Sequence, residues 1–318
     1  MAEISIDEAL LGSAPKDKVV VLCGGASGIG AGLVSKLFSR GAHVYFGDIN
    51  AVGCKTLEEQ LNSSANSSRG TVSSFPVDGR DYAAQLAMFK YAFEQHGRVD
   101  YAIFTAGVSD QKGWFSAANL NLENVQQVPK ATTDVVDVNL TACLYFTRIA
   151  LAYLKEGVDT TAQGAGPSRS LILLSSANGF QEAPGLVGYS ASKHGIIGIV
   201  RSLRPLAIKN FGIRINSICP VATDTPMIAA AIDLLKSVNA PLNTVAGCVH
   251  IIMQTMFDVK ANGQAVLIMS DRGIDTETGL TLSRPQWLGL WASEELDRLQ
   301  NVLGQNTDWA QAHTNQES

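Results

Sequence analysis

In Gly188-Tyr189-Ser190-Ala191-Ser192-Lys193 a phenol and an amine stand four residues apart, the spacing that puts two side chains on one face of a helix. A phenol with a pKa near 10 is protonated at neutral pH, and working as a base near 7 requires a fall of about three units, or roughly 4 kcal/mol. A neighbouring ammonium acts in that direction, because an opposite charge favours the phenolate. Tyr-x-x-x-Lys also occurs as an exposed polar pair, so its company matters. Ser176 closes the apolar run Leu171-Ile172-Leu173-Leu174-Ser175, and Asn139 lies in the helical pattern Asp137-Val138-Asn139-Leu140.

A second set of residues points to a nucleotide. Cys23-Gly24-Gly25-Ala26-Ser27-Gly28-Ile29-Gly30 joins a strand pattern to a helix pattern, where backbone N–H groups and the helix dipole can meet a pyrophosphate. Glycines also make ordinary turns, and context decides. Asp48 ends the next strand pattern, Val44-Tyr45-Phe46-Gly47, where a carboxylate can accept hydrogen bonds from the adenosine ribose. It would repel a 2′-phosphate, and neither Ile49-Asn50 nor Gly25-Ala26-Ser27 offers a Lys or Arg to neutralise one. The expected cofactor is NAD.

The elements that must position these groups alternate. Strand patterns fall at 18–23, 42–47, 71–77, 100–104, 170–175, 212–218 and 264–269, with helix-length segments between most of them. Ile29, Leu33 and Leu37 have helical spacing, and Gly41 follows where a helix takes its C-terminal glycine. Repeated strand-helix-strand predicts an α/β fold, a doubly wound Rossmann-type parallel seven-stranded sheet in a single domain. We expect an N-terminal segment over 1–15, the Rossmann-type domain over 16–275 and a helical C-terminal extension over 276–318. In the extension Trp287, Leu290, Trp291, Leu296, Leu299 and Leu303 read as one amphipathic helix, packed on the body or a sister subunit, or lying over a substrate.

Composition narrows the class. The chain has 318 residues, 46% hydrophobic and 17% charged, enough for a sizeable core and too apolar for a disordered chain. Twenty-four Lys and Arg against 29 Asp and Glu, with no basic run, argue against nucleic acid and anionic membranes as partners. The acidic start Met1–Glu8 lacks the pattern of a signal peptide, and no apolar run is read as a span, so a cytoplasmic protein is expected. The five cysteines are scattered and the five histidines lack ligand spacing, so no metal site is expected.

Taken in order over about residues 15–275, these motifs resemble those of the short-chain dehydrogenase/reductase family. The family's T-G-x-x-x-G-x-G loop falls on Cys23 to Gly30, which assigns Gly24, Ser27, Gly28, Ile29 and Gly30 to the cofactor. Its adenine-contacting aspartate falls on Asp78, followed by Gly79, and its N-N-A-G stretch on Phe104-Thr105-Ala106-Gly107. Its P-G stretch falls on Pro220-Val221, and its ligand for the nicotinamide carboxamide on Thr225, with Thr223 close by. The resemblance makes Asn139, Ser176, Tyr189 and Lys193 the catalytic set. Tyr189 then removes the hydroxyl proton during oxidation, or donates it in reverse, and Ser176 holds the substrate oxygen. Lys193, with the positive nicotinamide ring, lowers the Tyr189 pKa and binds the nicotinamide ribose, while Asn139 helps position a relaying water. Cys23 in place of Thr and Phe104-Thr105 in place of Asn-Asn imply rearranged bonds between the strands they end. Val221 in place of Gly adds a side chain beside the nicotinamide.

Residues 224–236 fall where the family places its substrate-covering loop and helix, and they are small and apolar. With Met227, Ile228, Leu234, Leu235 and Trp114-Phe115 nearby, a hydrophobic, terpenoid-like secondary alcohol or other secondary metabolite is expected, with Asn178 and Gln181 as polar contacts. The same side chains would equally pack a fold. The resemblance implies a homodimer or homotetramer. Two other readings stand beside this one: an NADH-linked ketoreductase running in reverse, and a non-redox nucleotide-binding module, which predicts damage to the Asn-Ser-Tyr-Lys set.

Overall fold

Strands buried on both faces need helices on both faces, and the chain supplies them in alternation. A computed structural model describes residues 2–63, 70–110, 113–156 and 168–305. The elements in chain order are β1 (Ala2–Glu3), α1 (Glu8–Ser13), β2 (Val19–Cys23), α2 (Gly28–Ser39), β3 (His43–Asp48), α3 (Ala51–Ser63), β4 (Val72–Pro76), α4 (Tyr82–His96) and β5 (Tyr101–Phe104). They continue with α5 (Lys130–Val136), α6 (Ala142–Lys155), β6 (Arg169–Leu174), α7 (Val187–Phe211), β7 (Ile213–Pro220), α8 (Ile232–Ser237), α9 (Val245–Phe257), β8 (Ala265–Met269), β9 (Arg272–Asp275), α10 (Thr276–Leu288) and α11 (Leu290–Gln305).

The seven strands expected from sequence pair in parallel in the order β8-β7-β6-β5-β2-β3-β4. Two more complete a nine-stranded sheet: β9 folds back antiparallel on β8, and β1 lies antiparallel on β9 with Ala2 opposite Asp275 and Glu3 opposite Ile274. A two-residue strand has no periodicity to read. Along β2 the side chains alternate between layers: Val19, Val21 and Cys23 pack with Phe89, Phe146 and Ile196, whereas Val20 and Leu22 pack with Leu33 and Ile252. From β2 the chain winds first to β3 and β4, then crosses to β5 on the other side. Such a switch opens a crevice at the C-terminal strand ends.

Two sequence expectations are corrected. The helix expected over 287–303 is broken at Gly289, φ +87°, so that Trp287 lies in the last turn of one helix and Leu290 begins the next. Trp287, Leu290 and Trp291 are all exposed. The run of helix through Lys130–Lys155 is long and apolar enough by length and composition to cross a membrane. Here Cys143, Phe146, Ile149 and Ala150 of that run are buried against the sheet.

Candidate active site

At the switch point a cavity of about 540 Å3 runs along the C-terminal ends of β2, β3, β5, β6 and β7. The turn after β2 forms one wall. Gly24 has φ +96° and Gly28 φ +52°, a region that favours glycine. A Cβ on Gly24 would lie 2.3 Å from the Ala106 nitrogen, and one on Gly30 would lie 1.9 Å from the Gly24 carbonyl oxygen. Ser27 stands at the N-cap of α2 without capping it through its side chain. This backbone cradle, opening on a helix N-terminus, fits a pyrophosphate. Cys23, Gly24, Ser27, Gly28, Ile29 and Gly30 all line the cavity.

Asp48 is held at the turn: its carboxylate accepts from the Ala26 amide at 3.0 Å and from the Asn50 amide at 2.9 Å. Asp78 and Gly79 line the same end. The Arg80 guanidinium, 2.6 Å from the Asp78 carboxylate, holds that carboxyl below its ordinary range. The expected rearrangement around Cys23 is visible. Thr105 Oγ1 donates within reach of both the Cys23 and Gly24 carbonyls, at 3.0 and 2.9 Å, while the Thr105 and Ala106 amides also donate to the Cys23 carbonyl. One hydroxyl just past β5 therefore ties β2 and its turn together. The Cys23 thiol is buried, and burial pushes its pKa up.

Tyr189 and Lys193 stand on the first two turns of α7, and with Ser176, at the end of β6, they line the cavity. Lys193 Nζ lies 5.4 Å from the Tyr189 ring centroid and donates to the Leu174 carbonyl at 2.9 Å. Burial lowers the Lys193 pKa to about 8. Burial also raises the Tyr189 pKa, opposed by a hydrogen bond with Ser176. In the protein alone, desolvation is the larger influence on the phenol and disfavours its charged form.

Asn139 lies behind the cavity wall, fully buried in a π-turn over Asp137–Thr141. Its Nδ2 donates to the Val108 carbonyl at 2.9 Å and to Ser192 Oγ at 3.0 Å, and its Oδ1 accepts from the Val108 amide at 2.8 Å. The side chain holds the segment after Gly107.

Ala106, Gly107, Pro220, Thr223 and Thr225 line the remaining walls, together with Val221, Asn178 and Met227. The Thr223 hydroxyl is occupied, donating to the Val221 carbonyl at 3.1 Å. Gln181 is exposed and is not among the lining residues, because the chain turns outward after the short helix Ala177–Gly179. Val108, Ser109, Val138 and Leu186 line the cavity without having been singled out from sequence. Trp114 and Phe115 do not line it.

The model of the short chain dehydrogenase family matches residues 18–236, the span that carries the turn, Asp48, Ser176, Tyr189 and Lys193. The chain belongs to that family. It is therefore an oxidoreductase on a Rossmann-type fold. Among relatives of this short-chain dehydrogenase, the short-chain dehydrogenase/reductase ascJ of Acremonium egyptiacum is 31% identical, covering 89% of this chain and 88% of that one. The 5′-hydroxyaverantin dehydrogenase of Dothistroma septosporum is 27% identical over 80% of this chain and 85% of its own. A 3-oxoacyl-[acyl-carrier protein] reductase from Brucella melitensis, solved with bound NAD, has a TM-score of 0.64 at 23% identity, covering 85% and 97% of the two chains. That likeness speaks to the fold.

Proposed function

We propose that this short-chain dehydrogenase is NAD(H)-dependent and oxidises a secondary alcohol on a hydrophobic small molecule to the ketone. The observation that carries the reading is one cavity lined at one end by the glycine turn and Asp48, and at the other by Ser176, Tyr189 and Lys193. Gly24, Ser27, Gly28, Ile29 and Gly30 would hold the pyrophosphate, Asp48 the adenosine ribose, and Asp78 and Gly79 the adenine. Ala106, Gly107, Pro220, Thr223 and Thr225 would flank the nicotinamide half, with Lys193 on its ribose. A bound nicotinamide supplies hydride transfer to and from the carbinol carbon. Ser176 orients the substrate oxygen beside the phenol, and Tyr189 takes the hydroxyl proton as the carbonyl forms. The Lys193 ammonium would favour the phenolate, and a water that Asn139 helps position would relay the proton away from the phenol. Asn139 also fixes the wall at Val108.

Two features support NAD over NADP: the carboxylate at Asp48 and the apolar, exposed Ile49 beside it, which offers a 2′-phosphate no cation. Val108, Leu186, Met227 and Ile228 give the open end an apolar lining, which supports an apolar substrate with Asn178 as its polar contact. A relative named as a dehydrogenase of a hydroxylated compound supports oxidation as the direction. A homodimer or homotetramer would cover exposed Leu144 beside Tyr82 and Tyr145 on α4 and α6.

The test is a fluorescence titration with NADH and separately NADPH, followed by turnover of cyclic secondary alcohols with NAD. Tight NADH binding, weak NADPH binding and turnover abolished by Tyr189→Phe with NADH binding intact are expected. Binding of neither nucleotide, or full turnover by Tyr189→Phe, overturns the reading.

A further inference from the structure

We propose that Asp110 is a positioning residue for Tyr189, fixing the first turn of α7 from a loop 79 residues earlier in the chain. α7 has no cap of its own, since the residue before it is Leu186, which has no acceptor in its side chain. The first amide with a partner inside the helix is that of Ser190, donating to the Leu186 carbonyl. The Tyr189 amide instead donates to Asp110 Oδ2 at 2.7 Å. A carboxylate at a helix N-terminus is favoured by the dipole as well as by the bond. Gly188 permits this approach: a Cβ there would lie 2.9 Å from Asp110 Oδ1.

The contact closes a ring of bonds around the catalytic tyrosine. The Tyr189 carbonyl accepts from Ser192 Oγ at 2.7 Å, Ser192 Oγ accepts from Asn139, and Asn139 grips both the amide and the carbonyl of Val108, two residues before Asp110. Both backbone polar groups of Tyr189 are thus tied to the segment whose Val108 and Ser109 line the cavity. The phenol and the cavity wall are held in one register. Displacement of a reacting group by about 1 Å can cost 100-fold in rate, so this register has catalytic weight.

The inference rests on Tyr189 as the proton-transferring group, and the two are tested side by side. Asp110→Ala removes the acceptor, Asp110→Asn retains one, Tyr189→Phe tests the underlying reading, and Asp7→Ala removes the cap of the remote α1 as a control for loss of a helix cap. Hydrogen exchange in the peptide over 186–190 needs no substrate. It is expected to accelerate at least about tenfold in Asp110→Ala and to return toward the parent in Asp110→Asn. With a secondary alcohol turned over by the parent, kcat of Asp110→Ala is expected to fall about 10- to 100-fold with NADH affinity within about twofold, and Asp110→Asn to recover most of it. Asp7→Ala keeps the parent's kcat. Unchanged exchange in Asp110→Ala, or kcat within about twofold of the parent, overturns the role of Asp110. So does loss of NADH binding in step with kcat, which would mark a general structural defect. Full activity in Tyr189→Phe overturns the reading of Tyr189 instead.

Discussion

The Lys193 ammonium donates to the Leu174 carbonyl at 2.9 Å and stands 5.4 Å from the Tyr189 ring centroid, in a site where burial disfavours its charge. The residue that should tune the phenol is thus itself tuned, down to about 8 from 10.5. Between those values the unfolded chain holds a proton that the folded protein has released. Folding stability therefore rises with pH across that window, and the full penalty of burying the charge applies below about 8.

Lys193→Met should accordingly change the pH dependence of stability. A difference of that size is worth roughly 3 kcal/mol, partly offset by the lost bond to the Leu174 carbonyl. Urea unfolding at pH 7 and again near the upper end of the window is expected to show the variant gaining on the parent at pH 7 by roughly 2–3 kcal/mol relative to its standing at high pH. Parallel curves for the two proteins would mean that Lys193 titrates alike in the folded and unfolded chain.

Asp48 is pinned by the Ala26 and Asn50 amides, so its carboxylate has a fixed place at the end of β3. Asp48→Ala combined with Ile49→Arg should move nucleotide preference from NADH toward NADPH by about 10-fold or more, because a repulsive charge is removed and an attractive one added. Fluorescence titration with both nucleotides measures the ratio. An unchanged ratio would show that Asp48 does not read the ribose.

Gly30 has no room for a side chain, since a Cβ would meet the Gly24 carbonyl oxygen at 1.9 Å and Thr105 Oγ1 at 2.8 Å. Gly30→Ala should force the turn away from α2 and weaken NADH binding at least about tenfold, with a lower melting temperature. Thermal unfolding with and without NADH separates the two effects.

Thr105→Val keeps the volume of the side chain and removes the hydroxyl shared between the Cys23 and Gly24 carbonyls. A loss of about 1–2 kcal/mol in stability is expected, with weaker NADH binding as the turn loosens. Chemical denaturation and the same titration give both numbers.

Much of this molecule was legible in its residues. The run Val19–Cys23 is apolar at every position because both faces of β2 are covered, and that pattern can be read without coordinates. Tyr189 and Lys193 announce their shared face by spacing alone, and Asp48 announces itself by following a strand. Other features leave no local trace. Residues 2–3 pair with a strand more than 260 positions away, and Gly289 divides a continuous apolar pattern into two helices.

The chain order of strands, turn and helices was determined by hydrophobic period and by glycine placement, both local properties of the backbone and its neighbours. Only the tertiary structure decided the direction of the Lys193 and Tyr189 pKa changes, the commitment of the Asn139 amide to Val108, and the Asp110 bond to the Tyr189 amide. Desolvation and long-range hydrogen bonds depend on which distant segments close around a group, and that information is carried by packing and not by spacing along the chain.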